Sequence, residues 1–83
     1  MIIKYFSWVR DLAETPEEIF ELPENISNIK QLIDHLISKN EKYEKIFVKR
    51  QIVKIAVNKV YVDESKKINN SDEIAFFPPV TGG

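Results

Sequence analysis

Residues 28–40, Asn-Ile-Lys-Gln-Leu-Ile-Asp-His-Leu-Ile-Ser-Lys-Asn, carry the clearest secondary-structure pattern in the chain. Their apolar side chains recur at the spacing of one helix face: Ile29, Leu32, Ile33, Leu36 and Ile37. Asn28 is a suitable N-cap, and Gln31 three residues later completes the pattern of a capping box. Asn40 is a suitable stop at the other end. The stretch therefore predicts an amphipathic helix that buries one face.

Strand-like segments lie on both sides of this helix. The predicted strands cover residues 2–10, 17–22, 52–57, 60–62 and 74–77. The first two could pair as a long-looped hairpin, and Asn58-Lys59 is a candidate tight turn. A further short helical turn is predicted near residues 43–47. The order β-β-α-β-β-β predicts an α+β domain in which one main helix packs on one face of a mixed sheet. This order resembles the β-grasp, or ubiquitin-like, fold.

Composition limits the class of protein. A chain of 83 residues with 43 % hydrophobic and 30 % charged residues suits one soluble globular domain. Its 12 basic and 13 acidic residues give a net charge of −1, which argues against a nucleic-acid partner. The N-terminus starts with a strand-like pattern rather than a signal peptide, and no apolar run approaches the roughly 18 residues of a membrane span. We therefore expect a cytoplasmic protein with no membrane partner.

The residue types of ordinary catalytic sites are scarce. The chain has no cysteine, so a disulfide scaffold and a thiolate metal site are excluded, and with His35 as the only histidine no metal site is expected. The only glycines are Gly82 and Gly83, so there is no glycine-rich phosphate loop. Acidic residues near the second strand are predicted to form a solvated face: Glu14, Glu17, Glu18, Glu21 and Glu24. Such a chain is not expected to turn over a substrate alone or to bind a cofactor.

The chain ends in a segment unlike the rest. Pro78 and Pro79 must end the last strand, because proline lacks the N–H that a ladder needs. We therefore divide the chain into a domain, residues 1–77, and an extended tail, residues 78–83, which spans at most about 20 Å. Gly83 would present its α-carboxylate at a thin tip; this group has a pKa near 3.3–3.7 and needs activation by a partner before it can react. Alternatively, the two glycines are a frayed end.

Residues 74–83, Ile-Ala-Phe-Phe-Pro-Pro-Val-Thr-Gly-Gly, resemble the C-terminal signature of the molybdopterin synthase small-subunit family. Residues 9–12, 56–58 and 72–73 resemble weaker features of the same family, so the likeness covers nearly the whole chain. Gly-Gly tails also occur in the thiamine sulfur carrier and in ubiquitin-related modifiers. The Phe-Phe-Pro-Pro-Val-Thr approach to the glycines favours the molybdopterin branch.

The resemblance implies a mechanism and a set of partners. An ATP-dependent activating enzyme would adenylate Gly83, and a sulfur donor protein would convert it to a thiocarboxylate. A tail made of Pro78, Pro79, Val80, Thr81 and Gly82 would enter the large subunit. There, sulfur would pass to cyclic pyranopterin monophosphate and form the dithiolene of molybdopterin, in molybdenum cofactor biosynthesis. The catalytic side chains would belong to the large subunit, in a heterotetramer of two small and two large subunits.

Side-chain alternation predicts a docking surface. If the core-facing residues of the outer strands are Ile3, Val9, Ile74 and Phe76, then Phe6, Trp8 and Phe77 lie on the face that the helix leaves uncovered. We expect these aromatic rings to bind a partner, unless loops cover them as a second small core. Arg10 would either meet an acidic partner or remain solvated at the sheet edge.

Two rival functions stay open. A protein modifier would share the fold and the activation step but would join Gly83 to a lysine of a target. A plain binding domain would have an incidental tail and would work without its last two residues.

Overall fold

The computed structural model describes residues 1–79. Their elements are, in chain order, β1 (Ile2–Tyr5), α1 (Ser7–Ala13), β2 (Glu17–Ile19), α2 (Ile29–Lys39), α3 (Glu41–Phe47), a 3₁₀ turn (Arg50–Ile52), β3 (Lys54–Val57), β4 (Val60–Val62) and β5 (Glu73–Phe77). The strands form one sheet in the order β2-β1-β5-β3-β4. β1 and β5 are parallel, and the other neighbours are antiparallel. The predicted mixed sheet is therefore confirmed.

The main helix forms where its pattern predicts it. Asn28 accepts a hydrogen bond from the backbone N–H of Gln31 at 2.9 Å. The Gln31 side chain accepts a hydrogen bond from the backbone N–H of Ser27 at 2.7 Å. In a capping box the donor is the N–H of the N-cap residue itself, so the donor here lies one residue earlier. Asn40 ends α2 and also begins α3, where its side chain accepts from the N–H of Lys42. One asparagine therefore separates two consecutive helices.

One core lies on one side of the sheet. The fully buried apolar side chains include Ile29, Leu32, Ile33 and Leu36 of α2, and they join those of α1 and α3 in a single cluster with β1 and β5. At its centre, the Phe76 ring lies 5.0 Å from Phe47 and 6.1 Å from Tyr5, measured between ring centroids. Within residues 1–79, all three helices therefore cover the same face. In this part of the chain, no helix has the length and apolarity that a membrane span requires.

The prediction of a first strand over residues 2–10 is wrong beyond Tyr5, where β1 ends. The chain turns off the sheet at Ser7, whose φ of 54° is left-handed, and α1 follows directly. Val9 and Ala13 are fully buried and Leu12 is packed against the same core. These three positions have the i, i+3, i+4 spacing of a helix face, which outweighs the strand-like composition of the segment.

Two other boundaries also differ from the prediction. β2 covers Glu17–Ile19 rather than residues 17–22, although its antiparallel pairing with β1 is confirmed. The third predicted strand begins two residues late, because Arg50–Ile52 form a 3₁₀ turn. There, Arg50 donates to both oxygens of Glu64, to Asp34 and to the Lys30 carbonyl at 2.8–3.3 Å, which draws the segment towards α2.

Candidate functional site

The last strand, β5, is the central strand of the sheet. β5 lies between β1 and β3, and its final residue, Phe77, pairs with Lys54. Beside it, the N–H of Phe6 donates to the carbonyl of Phe76 at 3.2 Å. Pro78 and Pro79 follow outside the ladder, as predicted. Residues 80–83, which include the predicted reactive Gly83, lie outside the described residues, so the role of the tail stays a prediction.

Phe77 lies on the sheet face that the helices leave uncovered. Ile74 and Phe76 alternate with it and are fully buried on the core side, as predicted, whereas Phe77 is half-buried. Its ring lies 5.4 Å from that of Tyr61 on β4, measured between centroids. Tyr61 is 72 % exposed. This residue was not among the predicted site residues. The strand register places it on the face of Phe77, because Tyr61 pairs with Ala56 and Ala56 pairs with Ala75.

Phe6 lies next to the end of β5. Its backbone is extended, so its side chain continues the alternation of β1 and points away from the core that holds Tyr5. Phe6 is 46 % exposed. We call Phe6, Tyr61 and Phe77 the aromatic patch. A face bearing three partly exposed rings beside the root of the C-terminal segment is a candidate protein-binding surface.

Trp8 and Arg10 do not lie on that face, which corrects the prediction. Both belong to α1, because the chain leaves the sheet at Ser7. Trp8 is half-buried against the core, and Arg10 is exposed. The carbonyl of Arg10 accepts from the N–H of Glu14 at the helix end. The structure therefore separates these two residues from Phe6 and Phe77.

One acidic residue departs from the predicted solvated face. Glu18 points to the core side, where one of its oxygens accepts hydrogen bonds from the hydroxyls of Tyr5 at 2.8 Å and Tyr43 at 2.5 Å. Burial, supported by the hydrogen bond to Glu18, raises the pKa of Tyr43 to about 12. The same causes raise the pKa of Tyr5. Both phenols stay protonated near neutral pH, so this cluster holds the fold together rather than exchanging protons.

The side chains of residues 1–79 offer little for catalysis. Within this range, no group of three or more histidine or acidic side chains could hold a metal ion. His35 lies on α2, where its ring meets the edge of Phe20 at 5.7 Å between centroids. Among the described residues, the feature that stands out as a candidate functional site is therefore the aromatic patch.

Comparison with solved structures confirms the β-grasp fold. The small archaeal modifier protein SAMP1 of Haloferax volcanii superposes with a TM-score of 0.74 and 18 % identity, over 100 % of this chain and 98 % of that one. A complex of subunits 1 and 2 of the molybdopterin-converting factor of Helicobacter pylori contains a chain with a TM-score of 0.66 and 18 % identity, over 99 % and 96 % of the two chains.

Sequence comparison identifies the family. The molybdopterin synthase sulfur carrier subunit of Mycobacterium tuberculosis is 35 % identical over 82 residues, which cover 98 % of this chain and 94 % of the relative. The model of the ThiS family matches residues 3–83, a range that includes both terminal glycines. This chain therefore belongs to the ThiS family.

Proposed function

We propose that this chain is the sulfur carrier subunit of a molybdopterin synthase and that Gly83 carries the sulfur as a thiocarboxylate. The observation that carries this proposal is the likeness, over nearly the full chain, to a relative with that function, together with a family match that extends through Gly82 and Gly83. The described geometry is consistent with it, because β5 ends at Phe77 of the aromatic patch and Pro78 and Pro79 follow outside the ladder.

Loading requires two steps at one carbonyl. The Gly83 carboxylate attacks the α-phosphate of ATP on the activating enzyme, and pyrophosphate leaves. Sulfur supplied by a donor protein at the oxidation level of sulfide then attacks the acyl adenylate. A C–S bond forms, the C–O bond to AMP breaks, and the thiocarboxylate has sulfur in place of one oxygen. Adenylation is needed because an ionised carboxylate repels nucleophiles. Two successive deliveries to cyclic pyranopterin monophosphate build the dithiolene, and water restores the carboxylate each time.

The aromatic patch would hold the large subunit while the tail reaches into it. Aromatic side chains are frequent energetic anchors at protein interfaces. The Helicobacter pylori complex of subunits 1 and 2 supports a large-subunit partner for this class of chain. Catalytic side chains would come from that subunit, in an assembly of two small and two large subunits.

Intact-mass measurement tests the proposal. The chain is incubated with its activating enzyme, ATP and sulfide, and we expect the mass to rise by one sulfur in place of one oxygen. Deletion of Gly82 and Gly83 is the matched control, and it should abolish the shift and molybdopterin formation without unfolding the domain. Molybdopterin formation by the truncated chain would overturn the proposal.

A protein modifier is the second candidate, favoured by the structural likeness to SAMP1. The two functions differ in what attacks the activated Gly83 carbonyl, a sulfur atom or the amine of a target lysine. Mass analysis of a reaction that also contains cell proteins distinguishes them, because conjugation adds this whole chain to a target.

A further inference from the structure

A groove beside α1 is lined by residues other than those of the aromatic patch. Its volume is about 460 Å³, and it is lined by Trp8 of α1, by residues at the end of α3 and by Ile52. Ile46 is fully buried at its base. Val48 and Ile52 are 75 % and 37 % exposed at its rim. The groove therefore combines a preformed apolar floor with apolar side chains that remain in water.

The polar residues of this lining are both cationic. Lys45 lies in the last turn of α3 and Lys49 lies two residues after the helix, and both are exposed. Among residues 1–79, the ion pairs involve other side chains, and neither lysine has an acidic partner within 4 Å. Glu41 and Glu44 line an adjacent cavity, which shares Lys45 and Val48 with the groove. The lining of the groove itself contains these two lysines and no acidic side chain.

We propose that this groove docks an acidic amphipathic segment of a protein partner. A bulky apolar side chain of the segment fills the space between Trp8, Val48 and Ile52, and flanking carboxylates meet Lys45 and Lys49. Charge decides the occupant, because a basic segment would face two unpaired lysines and a neutral one would leave both unpaired. Exposed ion pairs of this kind favour fast association that weakens with salt.

The inference goes beyond the sulfur carrier function, which uses the tail and the aromatic patch. The groove involves α1, α3 and the 3₁₀ turn, so a segment could occupy it while the uncovered sheet face binds another protein. In this proposal Trp8 and Lys45 bind a partner at the groove, whereas the sequence analysis predicted partner binding on the uncovered sheet face.

Trp8 is the only tryptophan of the chain, so its fluorescence reports directly on the groove. The probe is a synthetic helix of about 15 residues with leucine and phenylalanine on one face, flanked by glutamates. The control peptide has lysine in place of every glutamate. We expect saturable changes of Trp8 emission with the acidic peptide, weakened by raising salt, and none with the basic one. Equal binding of both peptides, or binding of neither, would overturn the proposal.

Charge reversal locates the binding. Lys45→Glu combined with Lys49→Glu should weaken the acidic peptide about tenfold. The matched control, Lys59→Glu with Lys66→Glu, changes the same net charge on loops away from the groove and should stay within about twofold. Equal losses in both double variants would mean non-specific attraction and would contradict the proposal. Sulfur loading of Gly83, measured on the same samples, separates failure of the groove proposal from failure of the sulfur carrier proposal.

Discussion

At the scale of single residues, Glu18 joins two tyrosines that come from distant parts of the chain. Tyr5 belongs to β1 and Tyr43 to α3, and both donate to the same carboxylate oxygen. Hydrogen bonds to a charged acceptor contribute about 1.5–3 kcal/mol, more than neutral ones. Glu18 therefore links the sheet edge to the third helix at the border of the core.

The raised pKa of Tyr43 predicts a loss of stability at high pH. Between pH 10.0 and about 12 the unfolded chain releases the Tyr43 proton while the folded chain keeps it. The unfolded state then binds fewer protons, so the free energy of unfolding falls as pH rises. Tyr43→Phe removes this titrating group and should therefore reduce the fall. Urea unfolding at pH 9 and 11 measures it, and an unchanged pH dependence in Tyr43→Phe would contradict the assignment.

Substitutions of two neighbouring phenylalanines should have different effects, one on folding stability and the other on partner binding. Phe76 is fully buried, so Phe76→Ala should cost about 3–5 kcal/mol of stability. Phe77 is half-buried on the uncovered face, so Phe77→Ala should cost less and should instead weaken binding to the large subunit by about 2–4 kcal/mol. Chemical denaturation and titration calorimetry give the two quantities. Normal affinity of folded Phe77→Ala would remove this residue from the interface.

At the scale of elements, the turn between β3 and β4 is held in an uncommon backbone conformation. Asn58 and Lys59 have φ values of 51° and 69°, both left-handed. Two-residue hairpins of this geometry favour asparagine followed by glycine. Asn58 also bonds to Asp72 and to the N–H of Glu73 through its side chain, so it cannot be exchanged freely. Lys59 is exposed and has a Cβ, which is unfavourable in this conformation. A substitution at Lys59 can therefore increase the stability of the domain.

Lys59→Gly should stabilise the domain by about 0.5–1 kcal/mol. Glycine removes a left-handed penalty of about 1–2 kcal/mol, and its larger backbone entropy in the unfolded chain offsets part of that gain. Lys66→Gly is the control, because Lys66 has no left-handed φ and should lose stability or stay unchanged. Thermal and urea unfolding measure both variants. A loss of stability in Lys59→Gly would show that the lysine side chain contributes more than its backbone strain costs.

Elements with local causes could be predicted from the sequence, and those with distant causes could not. The periodic stripe and the cap at Asn28 determine α2 locally, and the Asn58-Lys59 turn is likewise local. The helix α1 was missed because aromatic and β-branched residues outweighed the spacing of its three core-facing positions. The 3₁₀ turn at Arg50 depends on acidic partners 14 and 16 residues away, which no local pattern reveals.

The residues of the candidate site also divide into those with local causes, which could be predicted, and those with distant causes, which could not. Alternation along β5 correctly placed Phe77 opposite Phe76, and Phe6 is on the predicted face because its backbone is still extended. Trp8 and Arg10 were misplaced together, since one missed helix start moves every residue after it. Tyr61 required knowledge of strand order, because β4 joins the sheet through β3.

At the scale of the whole molecule, sheet order connects the core to the C-terminus. β5 is the central strand, paired on both sides, so Pro78 and Pro79 start from the most firmly held part of the sheet. The aromatic patch lies on the uncovered face beside this point. Under the proposed function, a partner that binds the patch would therefore meet Pro78 and Pro79 at a fixed position on the sheet, which would help to orient a reacting group.

The last prediction concerns Gly82, one residue before the proposed thiocarboxylate. Gly82→Ala adds one methyl group and removes easy access to left-handed backbone conformations. If the end of the chain enters a channel matched to bare backbone, that methyl group displaces the reacting carbonyl, and a shift near 1 Å can cost about 100-fold in rate. We expect the variant to fold normally, to bind the large subunit through the aromatic patch, and to fail at adenylation or sulfur delivery. Intact mass tests the first step, and a chemically prepared thiocarboxylate of the variant tests the second. Loading and delivery at the unmutated rate would show that the channel tolerates a side chain at this position, and the glycine would then need another explanation.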